Sequence, residues 1–302
     1  MSDKAICQVT FAEIGSQPTC WRRAIEHAAA GVAGLPASGE HVLAIGCGTS
    51  FYLARAYARL REQRGHGLTD ATIASEVPTD GVVRDYDRVL AISRSGTTTE
   101  VLQAVTRLAE QAPVTAVLGT LGTPIGAAAN EIVDLSYADE HSVVQTRFPT
   151  TLLTLLRAQL GESAAALGEL ADQAQQVIDT PVTEPAPRQL VVLGTGWAAA
   201  LAQEAALKCR ESVGMWAEAY ASGEYRHGPI SVAGPGTLVW GMTPLTDAQV
   251  EAITATGASA RQPTADPQVE LVAIQRHAVT WAAAIGRDAD VPKHLTRSVI
   301  DL

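Results

Sequence analysis

One pattern, met twice, narrows the fold more than anything else in the 302 residues. The apolar run His41-Val-Leu-Ala-Ile ends in Gly46-Cys47-Gly48-Thr49-Ser50 and passes into an Ala-, Leu- and Tyr-rich stretch to about Arg64. Gln189-Leu-Val-Val-Leu193 ends in Gly194-Thr195-Gly196 and passes into a second Ala-rich stretch. Both read as strand, glycine turn, helix. The leading glycines are 148 residues apart (194 − 46), and a further strand end follows each by 47, at Ser93 and at Gly241. Matching intervals of this kind imply a duplicated unit. Strands such as Arg88–Ile92 and Val114–Leu118 alternate with helical runs such as Glu100–Gln111, which implies parallel sheets covered on both faces. The expected fold class is α/β, with two tandem three-layer α/β/α domains.

The expected division is an N-terminal helical segment over 1–40, a first domain over 41–180, a second over 181–290 and a tail over 291–302. A helix from Ala12 to about Gly31, with Trp21, Ile25 and Ala28 on its apolar side, fills the first segment. Three prolines between Pro181 and Pro187 mark the linker.

Charge and cysteine usage exclude several classes of function. A net charge of −10 argues against a general electrostatic grip on nucleic acid or an anionic membrane, so an anionic ligand needs a local pocket. No run of about 18 apolar residues is present, and the start lacks the order of a secretory signal, so a cytoplasmic address is expected. Cys7, Cys20, Cys47 and Cys209 are scattered without metal spacing; reduced thiols are expected, and neither metal nor cofactor.

Chemistry concentrates in four segments. Ser93-Arg94-Ser95-Gly96-Thr97-Thr98-Thr99 puts five hydroxyls around one glycine where a strand hands over to a helix, a place with free backbone N–H groups and a positive dipole end. Alternatively, Thr97 and Glu100 merely form a capping box. Gly46-Cys47-Gly48-Thr49-Ser50 makes a similar, weaker turn at the same sheet edge. Glu204, Lys208 and Glu211 fall on one helical face, either a surface ladder or charges held for use in a mostly apolar helix. Glu218 to Pro229 reads as a loop carrying two acids, Arg226 and His227. His27, His41, His66, His141 and His277 have no partners in sequence and receive no role.

Taken in order, Gly-Cys-Gly-Thr-Ser, Ser-Arg-Ser-Gly-Thr-Thr, Ser-Val-Val-Gln-Thr-Arg-Phe-Pro-Thr-Thr, Glu-Ala-Ala-Leu-Lys-Cys-Arg-Glu and Glu-Tyr-Arg-His-Gly-Pro resemble the double sugar-isomerase (SIS) domain family, most of all the isomerase half of glucosamine-6-phosphate synthase. The resemblance covers nearly the whole chain, including the Glu13–Pro18 start. It implies a sugar-phosphate site on Thr49, Ser50, Ser93, Arg94, Ser95 and Thr98, with Gln145 and Thr146 in a substrate-contacting stretch. It also implies a catalytic Glu211 accompanied by Glu204 and Lys208, and a ring-opening His227 donated across a homodimer, so that the active site is shared between subunits. Two departures stand out: the glutaminase domain is missing from this sequence, and the family's Schiff-base lysine aligns with Arg297, whose guanidinium forms no imine.

The expected reaction is aldose–ketose isomerisation of a phosphorylated sugar through a cis-enediolate. Glu211 is the base, Lys208 stabilises the oxyanion and His227 opens the ring. The alternatives are an amino-sugar-phosphate deaminase, a sulfonated-sugar isomerase with Arg94 reading the head group, and a non-catalytic sugar-phosphate sensor.

Overall fold

A computed structural model describes residues 6–78 and 84–300. It holds two parallel sheets, each flanked by helices, in the expected three-layer α/β/α class. The first contains β1 (Val42–Gly46), β2 (Thr69–Ile73), β3 (Arg88–Ser93), β4 (Val114–Leu118) and β5 (Glu131–Asp134), in the order β2-β1-β3-β4-β5. The second contains β6 (Gln189–Gly194), β7 (Trp216–Ala221), β8 (Thr237–Gly241) and β9 (Ser259–Arg261), in the order β7-β6-β8-β9. The shared order around β1 and β6 reproduces the repeat seen in the sequence.

Central strands are apolar throughout because both their faces are covered: β1, β4 and β6 are buried at every position. On one side of the first sheet, Leu43, Ile45, Val89 and Val114 pack with Val101 and Val105 of α4 (Thr99–Leu108). In the second, Val191, Leu193 and Val239 pack with Ile253 of α9 (Asp247–Ala255).

Each sheet organises one compact unit, and both units are discontinuous in sequence. The five-stranded unit takes Thr19–Glu140, Arg147–Glu169 and the residues from Thr296 on; the four-stranded unit takes the residues up to Pro18, His141–Thr146 and Leu170–Leu295. These divisions differ from boundaries at 41, 181 and 291. The expected single N-terminal helix is two, α1 (Gln8–Gly15) and α2 (Gln17–Ala30), interrupted at Ser16. Polar anchors explain the split: Thr10 donates to Asp290 from both its backbone N–H and its hydroxyl, at 2.7 and 2.6 Å, within the four-stranded unit. The fully buried Trp21 donates from Nε1 to Thr150 Oγ1 at 3.0 Å, on α6 (Arg147–Gln159) of the five-stranded unit.

The sheet order changes direction between β1 and β3, whose carboxyl ends are neighbours, and this edge is where open α/β sheets place ligands. Its turn is tight: a Cβ on Gly46 would lie 2.7 Å from both the carbonyl carbon and Cβ of Ser50. Gly46→Ala should therefore cost about 1–3 kcal/mol and lower the melting temperature by several degrees. Gly168→Ala, on α7 (Ala164–Asp179) with nothing within 4 Å of the new methyl, should raise stability by about 0.5–1 kcal/mol. Thermal and urea unfolding of the two variants measure both signs.

Candidate functional site

In the five-stranded unit, the hydroxyl-rich loop begins as β3 ends at Ser93 and closes where α4 starts. Gly96 takes φ +68°, a value glycine adopts at little cost, and its N–H donates to Ser93 Oγ at 3.1 Å. Ser95 Oγ accepts the Thr97 N–H at 3.3 Å. The alternative capping box of Thr97 and Glu100 does not form. The N-cap is Thr98, which puts Val101 where the box needs an acid, and the Thr98 side chain makes no bond to the helix end.

The loop's hydroxyls turn instead to a single point. Ser95 Oγ, Thr97 Oγ1 and Thr98 Oγ1 lie 3.2, 3.0 and 3.3 Å from Ser298 Oγ, and the Thr99 N–H donates to the Val299 carbonyl at 3.2 Å. Arg94, 2% exposed, donates from Nη2 to the Arg297 carbonyl at 3.0 Å. The neighbouring turn after β1 has Gly48 at φ +53° ahead of α3 (Thr49–Gln63), with Thr49 and Ser50 both buried at the helix start. Thus Thr49, Ser50, Ser93, Arg94, Ser95 and Thr98 all stand at the carboxyl ends of two adjacent strands.

Arg297 joins them through its backbone, while its side chain is committed elsewhere. Its guanidinium pairs with Asp139 at 2.6 Å and donates to the Glu140 carbonyl at 2.5 Å and to Thr120 Oγ1 at 3.2 Å. Asp139, Thr120 and Ser298 went unnoticed in the sequence. The Ser-Val pair after Arg297 was the available signal for Ser298; Thr120 and Asp139 follow strand ends with no motif of their own. With Thr123, Ser95 and Thr97 these residues line a cavity of about 530 Å³.

Gln145 and Thr146 group with the four-stranded unit. There Glu13, 3% exposed, accepts the His141 N–H at 2.5 Å, and Gln275 Nε2 donates to the Thr146 carbonyl at 3.4 Å. Gln145 is half-buried, and its Oε1 makes no hydrogen bond.

The face of α8 (Ala198–Ser212) in the same unit resolves the choice between surface ladder and internal charge cluster. Glu204 is fully buried and Lys208 is 1% exposed. The Lys208 ammonium lies 3.4 Å from Glu204 Oε1 and 2.5 Å from Glu211 Oε2. Glu211 keeps 19% of its side chain exposed and lines a cavity of about 680 Å³ with Arg210, Arg287, Lys293 and His294. On the same helix, burial pushes the Cys209 thiol up to about 12.

Glu218 belongs to a strand, not to the expected loop: β7 carries it, and it accepts from Trp216 Nε1 at 2.8 Å and Gln189 Nε2 at 3.3 Å. The turn begins at Ser222, and His227 stands exposed within it just before Gly228 at φ +137°. Among the described residues no group of three His, Cys, Asp or Glu side chains is placed to hold a metal ion, and no helix is long and apolar enough to cross a membrane.

Comparison with solved structures gives a glucosamine-6-phosphate deaminase from Thermotoga maritima at TM-score 0.83 and 23% identity, covering 97% of this chain and all of the other. A tagatose-6-phosphate ketose/aldose isomerase from Escherichia coli superposes at TM-score 0.75 and 16% identity, over 94% of this chain and 96% of the other. The fold matches phosphosugar isomerase structures. By sequence, the glutamine–fructose-6-phosphate aminotransferase (isomerizing) of Methanothermobacter thermautotrophicus is 26% identical over 305 residues, 86% of this chain. The chain spans about half that relative's length, 51%. No family model matches the chain.

The α8 cluster has a measurable energetic signature. Lys208→Met leaves Glu204 as a buried charge without its ammonium and should cost about 3–5 kcal/mol. Adding Glu204→Gln should recover a large part of that loss. Urea unfolding of the single and double variants decides it.

Proposed function

We propose that this chain interconverts the aldose and ketose forms of a phosphorylated sugar. The observation that carries the reading is the Glu204–Lys208–Glu211 cluster, a nearly enclosed ammonium that fixes one carboxylate while leaving part of it open to a cavity. Isomerisation requires one base to carry a proton between C1 and C2, and a carboxylate held in one orientation suits that task. Lys208 is enclosed too fully to reach a substrate oxygen, so in this reading it orients Glu211, and the oxyanion role expected of it from the sequence falls away.

The remote phosphate goes to the loop after β3. Ser95, Thr97 and Thr98 converge on the Ser298 hydroxyl, and a phosphate oxygen that replaced it would meet the same three groups, with the start of α4 behind them and Arg94 beside them. Binding energy from this end positions the reacting carbons. In this reading Thr49 and Ser50, at the end of the neighbouring strand β1, join the phosphate end of the site. Exposed on its turn, His227 is assigned to ring opening for a neighbouring copy in a homodimer.

Arg297 supports isomerisation over amination. It stays charged and is held by Asp139, Glu140 and Thr120, so no free amine stands at the position the resemblance gives to the imine-forming lysine. Release of ammonia from an amino-sugar phosphate is the second reading, favoured by the likeness to a deaminase structure; the same Glu211 proton transfer precedes it.

Incubating candidate hexose 6-phosphates in deuterium oxide should place deuterium at C1 of a ketose product, or at C2 of an aldose product, as the isomer appears, read by NMR. Glu211→Gln should lower kcat by about 10²–10⁴-fold, whereas Arg94→Ala should act mainly on KM. A folded Glu211→Gln protein with full turnover removes the assigned base. Ammonia from hexosamine 6-phosphates without isomer formation selects the second reading.

A further inference from the structure

The four-stranded unit holds another cavity, of about 400 Å³, that the proposed reaction does not use. Its walls include Val182 and Glu184 of the proline-flanked linker, Arg261 of β9, and Val269, Ala273 and His277 of α10 (Pro267–Ala284). Polar groups and aliphatic surface thus meet in one concavity of ligand size.

His277 is built into this place. It is 6% exposed, and its ring stands edge-on to Trp240 and Trp281 with centroids 5.0 and 5.3 Å away. Nδ1 is taken up by the Ala273 carbonyl at 2.7 Å, which leaves Nε2 without a hydrogen bond. Beside it, the Arg261 guanidinium stacks on the Trp240 ring at 3.8 Å, so its donors are available only along the edge.

One group already stands before both. The Glu184 carboxylate lies 3.4 Å from Arg261 Nη1 and 3.6 Å from His277 Nε2. Charge-assisted hydrogen bonds are shorter, about 2.7–2.9 Å, and the Glu184 side chain is 56% exposed. Its Oε2 also accepts the Thr183 N–H at 3.2 Å, a local contact that an exposed side chain exchanges for water at little cost. The linker bearing it is pinned by its backbone, where Trp281 Nε1 donates to the Glu184 carbonyl at 2.8 Å. A side-chain swing therefore vacates the place without unfolding the segment.

We propose that this cavity binds a small organic carboxylate, and that Glu184 is an internal occupant which such a ligand displaces. The ligand's carboxylate takes the edge of Arg261 and faces His277, and its carbon body lies against Val182, Val269 and Ala273. Because α10 packs on α8, the occupied site stands one helix away from Glu204 and Lys208.

The test is a titration of the full chain, followed by tryptophan fluorescence, with benzoate as probe and inorganic phosphate in a parallel series. Benzoate should give a saturable change that tightens about tenfold in Glu184→Gln, because removing an internal competitor raises the fraction of open sites. Binding should be lost in Arg261→Gln and weakened in Arg261→Lys, which keeps the charge but not the planar fork. Failure of benzoate to bind Glu184→Gln overturns the proposal, as does wild-type affinity in a folded Arg261→Lys or Arg261→Gln protein. Phosphate binding that depends on Arg261, with no benzoate binding, overturns the carboxylate assignment. Each outcome is read as binding, so none depends on whether the chain isomerises sugars.

Discussion

An ammonium removed from water must find its compensation within a few ångströms, and Lys208 finds it in Glu204 and Glu211. This one requirement shapes much of the four-stranded unit. The helix that carries the three charges is otherwise Ala- and Leu-rich, which lets it lie close against β6, β7 and α10. Close packing excludes water, and exclusion of water makes the pairing obligatory. Of the two carboxylates, the fully buried Glu204 anchors the ammonium, while Glu211, nearer the end of the helix, retains a solvent-facing edge. The asymmetry follows from position along α8.

The five-stranded unit meets a different need, the satisfaction of helix-start donors and hydroxyls. Several of these groups are answered by the tail around Ser298 and Val299 rather than by the loop itself. Because the cap lies at Thr98, one position later than the S/T-x-x-E spacing suggests, the hydroxyls remain directed outward from the helix end. A shift of a single residue therefore separates a self-contained cap from a loop whose hydroxyls meet the tail at Ser298.

Most of the core strands were legible because they are buried on both faces and read as unbroken apolar runs bounded by glycine. The edge strands were not. β2 reads Thr-Asp-Ala-Thr-Ile and β5 reads Glu-Ile-Val-Asp, too short and polar to stand out. β7 was masked by Glu218, whose cross-strand partner Gln189 becomes a neighbour only once the sheet has formed. The α8 face was visible as spacing, but burial alone distinguished an internal cluster from a surface ladder. Arg297 was visible as a departure from a motif, whereas Asp139, which holds it, has no local signature. His277 looked isolated because Trp240, Arg261 and Glu184 all lie at a distance along the chain.

Discontinuity of the two units has a bearing on synthesis. The four-stranded unit seats α1 against Asp288 and Asp290, and the five-stranded unit engages residues from Thr296 onward. Neither can finish folding as its own strands leave the ribosome, since each waits for residues made long afterwards, and closing such long loops is entropically slow. Helix α1 therefore stays without its acidic partners until Asp290, 280 residues after Thr10, has been made, and its docking adds a long-range step to folding.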